Sequence, residues 1–153
     1  VLPMPEISTE LLSVVAGQPT LVNPPGLYDP SGFGYSHLAV VETPARFVYI
    51  AGQGGENEQG EIAPDFESQV EQALGNLQKA LASVGADASH LAKISVFIVD
   101  HSMQRLQIYG KHFQRFLDGR KAPACTLIPV PCLALESMLF EIEATAVVPL
   151  QDL

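Results

Sequence analysis

Three features of the sequence predict an α+β layer fold in which two helices pack on one face of a sheet. Residues 64–84 and 103–117 each place apolar side chains at three- and four-residue steps, the period of an amphipathic helix. Residues 92–99, 122–130 and 138–147 are apolar runs of strand length. Together with two short strands ahead of the first helix, the order reads strand, strand, helix, strand, helix, strand, strand, which suits two layers over one core.

Residues 1–20 form an N-terminal extension of ambiguous pattern: Ile7 to Val15 admit a short helix, and Gln18-Pro19 breaks it before Leu21-Val22. Residues 23–34 carry three prolines and three glycines in twelve positions and therefore read as a loop. Residues 36–41 and 46–51 look like short strands separated by Glu42-Thr43-Pro44-Ala45, hence a hairpin. Gly52-Gln53-Gly54-Gly55 ends the second strand and is not a phosphate loop, because no Gly-Lys-Ser/Thr follows. In the first helix Phe66, Val70, Ala73, Leu74, Leu77, Leu81 and Val84 make the stripe; Pro64 and Asp65 suit its first turn and Gly85 its stop. Ile94, Val96 and Ile98 alternate in the next strand, with Phe97 and Val99 making its other face apolar as well. Leu106, Tyr109, Phe113, Phe116 and Leu117 line the second helix, closed by Asp118-Gly119.

A chain of 153 residues suits one domain, 1–153, with a core that needs neither disulfide nor metal. Hydrophobic residues make up 47% and charged residues 16%, an apolar excess that hints at subunit contacts. With 17 acidic against 8 basic residues the net charge is −9, which opposes a phosphate backbone and makes nucleic acid a poor partner. Val1-Leu2-Pro3-Met4-Pro5-Glu6 lacks the basic start of a leader, and no run reaches the about 18 apolar residues of a membrane span. The expectation is a soluble cytoplasmic protein with no membrane partner. Cys125 and Cys132 along an extended strand, at ~3.3 Å per residue, stand far beyond the ~7 Å limit for a disulfide. His37 stands alone and no Cys/His cluster exists, so no metal is expected. His90, His101 and His112 read as surface or helix-end residues.

Glu141 lies inside Met138-Leu139-Phe140-Glu141-Ile142, and an ionised carboxylate is costly to bury unless something pairs with it or uses it. Glu143 shares its strand face, so that face is either the wet side of a half-buried sheet or a place where a carboxylate works.

The ordered succession Asn23-Pro-Pro-Gly, Gly34-Tyr35-Ser36-His37, Tyr49-Ile-Ala-Gly52-Gln53, the Gln69 to Leu77 helix motif with Asn76, Lys93-x-x-Val96-x-Ile98-x-Asp100, Pro123-Ala124 and Glu141-Ile-Glu143-Ala144 resembles the Rid/YjgF family of reactive-intermediate deaminases over roughly residues 20–148. The resemblance implies a chorismate-mutase-like fold and a homotrimer, its three sheets closing a central barrel with small-molecule clefts between subunits. It further implies cofactor-free hydrolysis of the imine tautomers of short 2-aminoacrylate-like compounds to 2-oxo acids and ammonia. Carried over, Glu141 becomes the residue that handles the attacking water, and Tyr35 and Gly52 line the cleft with Leu127. The deaminases place an Arg directly after Pro-Ala to grip a substrate carboxylate; here that position is Cys125, and their helix Asn corresponds to Leu106. Cys125 is either a small buried strand residue or a thiolate nucleophile. Arg120 and Lys121 are either a helix-end cluster or stand-ins for the absent guanidinium.

Three functions remain open from the sequence. The favoured one is a hydrolase or deaminase acting on a reactive imine or enamine, with water activated by Glu141. The alternative is a non-catalytic trimer that binds a metabolite, and an endoribonuclease comes last on charge.

Overall fold

The computed structural model describes residues 1–4 and 6–150; the remainder of the expected 1–153 domain lies outside the described residues. Its elements run β1 (Thr20–Val22), β2 (Leu38–Val40), β3 (Arg46–Gln53), α1 (Phe66–Ala82), β4 (Leu91–Val99), α2 (Met103–Leu117), β5 (Ala124–Val130) and β6 (Phe140–Val148). Within the first twenty residues the only helical turn described is a 3-10 turn, Thr9–Ser13, which buries none of its residues. The main sheet has the order β3-β6-β4-β5, so β6 and β4 are central while β3 and β5 are its edges. β3 and β4 flank β6 antiparallel, whereas β5 runs parallel to β4. A parallel neighbour needs a crossover rather than a hairpin, and α2 supplies it.

Both helices cover one face of this sheet, as the apolar stripes predict. Ile94, Val96 and Ile98 of β4 and Phe140, Ile142, Ala144 and Ala146 of β6 meet Phe66, Val70, Leu77 and Leu81 of α1 and Tyr109, Phe113 and Leu117 of α2. Asp65 caps α1 rather than entering it, its side chain accepting from Ser68 N at 2.9 Å. Ser102 caps α2 in the same way at 3.1 Å. Asp118 closes α2 in the left-handed region at φ 50°, a conformation that Asp tolerates. The opposite sheet face carries Phe47, Tyr49 and Ile128, all substantially exposed, beside Lys93 and Glu143.

The expected hairpin between residues 36–41 and 46–51 does not form. β2 pairs antiparallel with β1 instead, Leu21 opposite Ala39, as a separate two-stranded ribbon. The cause is long-range. Ser36 N donates to Pro123 O at 3.0 Å and Ser36 Oγ to Ala122 O at 2.6 Å, which fastens this segment beside β5, while β3 finds its partner in β6 at the other edge. β3 also runs on through Gly52 to Gln53, past a register shift between Ile50 and Gln53. His112 is buried rather than at the surface, because its Nε2 meets Glu67 Oε1 at 2.8 Å across the two helices.

Candidate functional site

Glu141 sits on β6 opposite Phe97 and points away from the core, half-buried, its neighbours Phe140 and Ile142 facing inward. Gly52 lies against it: a Cβ at Gly52 would overlap Glu141 Oε1 and come within 2.6 Å of its Cδ. The close approach is what requires glycine here, since any side chain would displace the carboxylate. The neighbouring glycines serve packing as well. A Cβ on Gly54 would stand 2.6 Å from Glu56 Oε2, and one on Gly55 would stand 2.7 Å from the Gln69 Cα. Burial, then the Glu56 and Glu143 carboxylates, push the Glu141 acid above its ordinary range. Glu141 itself is half-buried, so the face is only partly wet at this point.

Two polar residues that the motif reading treated only as part of a helix turn out to build this corner. Gln69 is 0% exposed on the apolar stripe of α1; its Nε2 donates to Ala63 O at 2.8 Å and Ser137 O at 2.9 Å, and its Oε1 accepts from Leu139 N at 2.8 Å. The amide thus fixes the entry to β6 two residues before Glu141. Asn76, two turns on, donates to Gly54 O at 3.1 Å and Glu56 O at 2.8 Å and so fixes the backbone that carries the Glu56 side chain. An amide recurring on an otherwise apolar helix stripe was the signal available in the sequence. Glu56 had none.

The other predicted site residues gather elsewhere. Cys125 and Leu127 pair with Ile94 and Val96 and pack toward the helix layer. Burial pushes the Cys125 thiol up to about 11, which keeps it protonated at neutral pH and removes the support for a thiolate nucleophile. Beside it lies Tyr109, whose buried hydroxyl faces the Cys125 thiol and is raised well above its ordinary range, first by burial and then by that thiol. Leu106 is half-buried one turn earlier on α2. Tyr35 is brought to this end by the Ser36–Ala124 bridge and packs edge to face with Tyr28 and His37. His37 holds the loop, its backbone N donating to Asn23 Oδ1 at 2.8 Å and its Nε2 lying 2.7 Å from Tyr28 O.

Within one chain these two groups do not meet. Glu141 is two strands from β5, and Cys125 stands three positions back along it from Ile128, the residue in line with Glu141. That spacing amounts to roughly 14 Å between Cα atoms at ~4.8 Å per strand and ~3.3 Å per residue, on opposite sheet faces. Depressions of about 300 Å³ beside Gly55 and Gln72 and about 260 Å³ beside Lys93 and Glu143 do not include Glu141. Arg120 is engaged with Asp87 and Leu117 O, each at 3.5 Å, and Lys121 with Leu21 O at 2.8 Å. Among the described residues no group of three or more metal-ligating side chains occurs, and no helix is long and apolar enough to cross a membrane.

Comparison with known proteins agrees with the architecture. The family model described as Endoribonuclease L-PSP matches residues 30–148. A Rid-family protein, YyfB of Yersinia pestis, is 33% identical, with a TM-score of 0.80 over 86% of this chain and 99% of that one. TdcF of E. coli, solved with bound serine, is 27% identical over 71% of this chain and 85% of its own, at a TM-score of 0.61. A member of the YjgF/YER057c/UK114 family from Mycobacterium tuberculosis is 25% identical over 85% and 99%, at 0.57. The order of the elements, the glycine set against a β6 carboxylate and these matches have one reading: the chain belongs to the Rid/YjgF family.

Proposed function

We propose that the protein is a cofactor-free hydrolase that deaminates a reactive imine or enamine in clefts between the subunits of a homotrimer. Family membership supports the coarser statement, a role in processing or binding a small molecule. The observation that carries the finer one is Glu141, a half-buried carboxylate with a raised pKa, set over the bare backbone of Gly52. In the reaction, water oxygen adds to the imine carbon as Glu141 takes its proton and the C=N electron pair passes to nitrogen. Glu141 returns that proton to nitrogen, and the resulting carbinolamine breaks its C–N bond as its hydroxyl proton passes through Glu141 to nitrogen and the O–H electron pair closes the C=O bond, leaving a carbonyl compound and ammonia.

The sheet edges support the intersubunit placement. Gly52 and Glu141 occupy the β3 side, whereas Tyr35, Cys125 and Leu127 occupy the β5 edge, so a complete cleft needs the β3 side of one copy against the β5 edge of the next. Such contacts would also cover the exposed Phe47, Tyr49 and Ile128. A non-catalytic binder is favoured only by Cys125, which replaces the family's Arg. RNA cleavage, the activity in the family model's description, is opposed by the charge of −9.

Mixing two inactive variants tests the cleft and the chemistry together. Glu141→Gln copies co-refolded with copies damaged at the other edge, Tyr35→Ala, are expected to regain about a quarter of the sites, because random assembly joins two intact edges that often. Imine hydrolysis above the buffer rate is the readout. Activity in the wild type with no recovery on mixing, or a stable monomer by light scattering, would sink the shared cleft.

Gly52→Ala is expected to leave folding nearly unchanged, since Gly52 is exposed and does not use a positive φ. Its methyl group must nevertheless move the Glu141 carboxylate, and a displacement of ~1 Å in a catalytic group can cost about 10²-fold in rate. A melting curve beside kcat checks both halves of the expectation; unchanged kcat would separate Glu141 from the chemistry.

A further inference from the structure

We infer that the sheet face away from the helices carries a second binding site, for a small zwitterion of amino-acid size. Its place is the depression of about 260 Å³ beside Lys93 and Glu143, which Glu141 does not line. Strand register gathers the polar side chains there. Tyr49 of β3 stands opposite Thr145 of β6, which stands opposite Lys93 of β4; in the next row Ser95 of β4 faces Glu143 of β6. Phe47 and Phe97 flank these rows, two residues before Tyr49 on β3 and two after Ser95 on β4. The polar groups are thus confined to two adjoining rows that cross three strands around one hollow.

The two charges of the hollow do not meet each other. Lys93 and Glu143 are diagonal neighbours on adjacent strands, about 7–8 Å apart between Cα atoms, yet among the described residues neither enters an ion pair. Lys93 leans toward β5 instead, where its ammonium group donates to Thr126 Oγ1 at 2.9 Å and keeps two protons free. Ser95, Thr145 and Tyr49 border the space left between lysine and glutamate. In the trimer proposed above this face turns toward the other copies, where water is scarcer and an unpaired charge costs more. The charge pattern decides what fits. A lone anion is repelled by Glu143 and a lone cation by Lys93, whereas a molecule that carries a carboxylate and an ammonium group close together satisfies both. Its carboxylate accepts the free Lys93 protons, its ammonium group donates to Glu143, and the neighbouring hydroxyls hydrogen-bond what remains. The hollow is several times the ~30 Å³ of one water, room for an amino acid with a short side chain. Binding there requires no chemistry at Glu141 and so stands apart from the proposed reaction.

Titration of the isotope-labelled whole chain tests this, with the backbone amide resonances of residues 93–95 and 143–145 reporting occupancy. Glycine and β-alanine are the zwitterions; acetate and ethylammonium carry one charge each. The better of the two zwitterions is expected to bind at least about tenfold more tightly than either single charge, and Lys93→Met and Glu143→Gln each to abolish that preference. Lys93→Gln serves in place of the methionine variant if that one does not fold. Glu141→Gln should keep the preference, because Glu141 does not line the hollow; loss of binding in that variant would put the ligand in the other cleft and overturn the inference. Equal affinity for zwitterions and single charges, or no saturable shift with any probe, overturns it as well. So does a wild type that binds none of the probes while Lys93→Met and Glu143→Gln each fall apart to monomers by light scattering, since the two charges then pair between copies. None of these outcomes touches the hydrolase reading, for which imine turnover is the measure.

Discussion

Glu141→Gln is expected to lower turnover by about 10²–10⁴-fold while the protein folds and binds its ligand nearly as before. Glutamine keeps the volume over Gly52 and can still hydrogen-bond, but it cannot take a proton from water at neutral pH. The wild-type pH profile should carry the signature of the same group. A general base works only when ionised, so activity should rise with pH through a pKa above the ordinary carboxylate value, and that limb should vanish in the variant.

Stability moves the other way. Because the folded-state pKa of Glu141 is raised, the native state holds the proton more tightly than the unfolded chain does. Its contribution to stability is therefore present at low pH and is lost as pH climbs from the ordinary carboxylate value through the raised one. The amide has no such loss, so Glu141→Gln should melt no lower than the wild type at neutral pH. Retained kcat in a folded variant would move the chemistry elsewhere; lost kcat with a lowered melting point would make Glu141 a structural residue.

How far the site was legible in the sequence differs from residue to residue. The helices were readable because Phe66 to Leu81 and Tyr109 to Leu117 repeat at the helical period, and that pattern is local. Glu141 was readable because a carboxylate inside an apolar strand is anomalous wherever the strand ends up. Strand partnership was not. Whether residues 38–40 pair with the strand before or the strand after is decided by the bonds of Ser36 to Ala122 and Pro123, some 86 residues away, and no local preference records them. For the same reason Tyr35 and Cys125 read as neighbours of Glu141, while within one chain they stand at the opposite edge of the sheet. Motif order carries the proposed list of cleft residues but not which copy supplies each. The resemblance gave Cys125 its place, and only its burial in the folded chain revealed its protonated state.

Gln69→Leu should damage the fold more than either Glu141→Gln or Gly52→Ala does. Leucine fits the apolar stripe, but it leaves Ala63 O, Ser137 O and Leu139 N without the partner that now meets each of them. A buried group left unpaired costs about 1–3 kcal/mol, and the added apolar contact offsets only part of three such losses. A net loss of about 3 kcal/mol corresponds to a melting point lower by roughly 6–12 °C for a chain of this size. Gln69→Glu separates hydrogen bonding from volume. Its carboxylate can still accept from Leu139 N, but it turns a lone pair toward two carbonyl oxygens and buries a charge on a side that was 0% exposed, so it should be at least as destabilising at neutral pH and recover partly in acid, where the protonated form donates once more. The consequence reaches the site because Leu139 leads directly into Glu141: a surviving Gln69→Leu population should show reduced kcat even below its melting point. A melting point within about a degree of the wild type would mean that α1 and the start of β6 are held by packing alone, and that the amide is dispensable to the placement of the carboxylate.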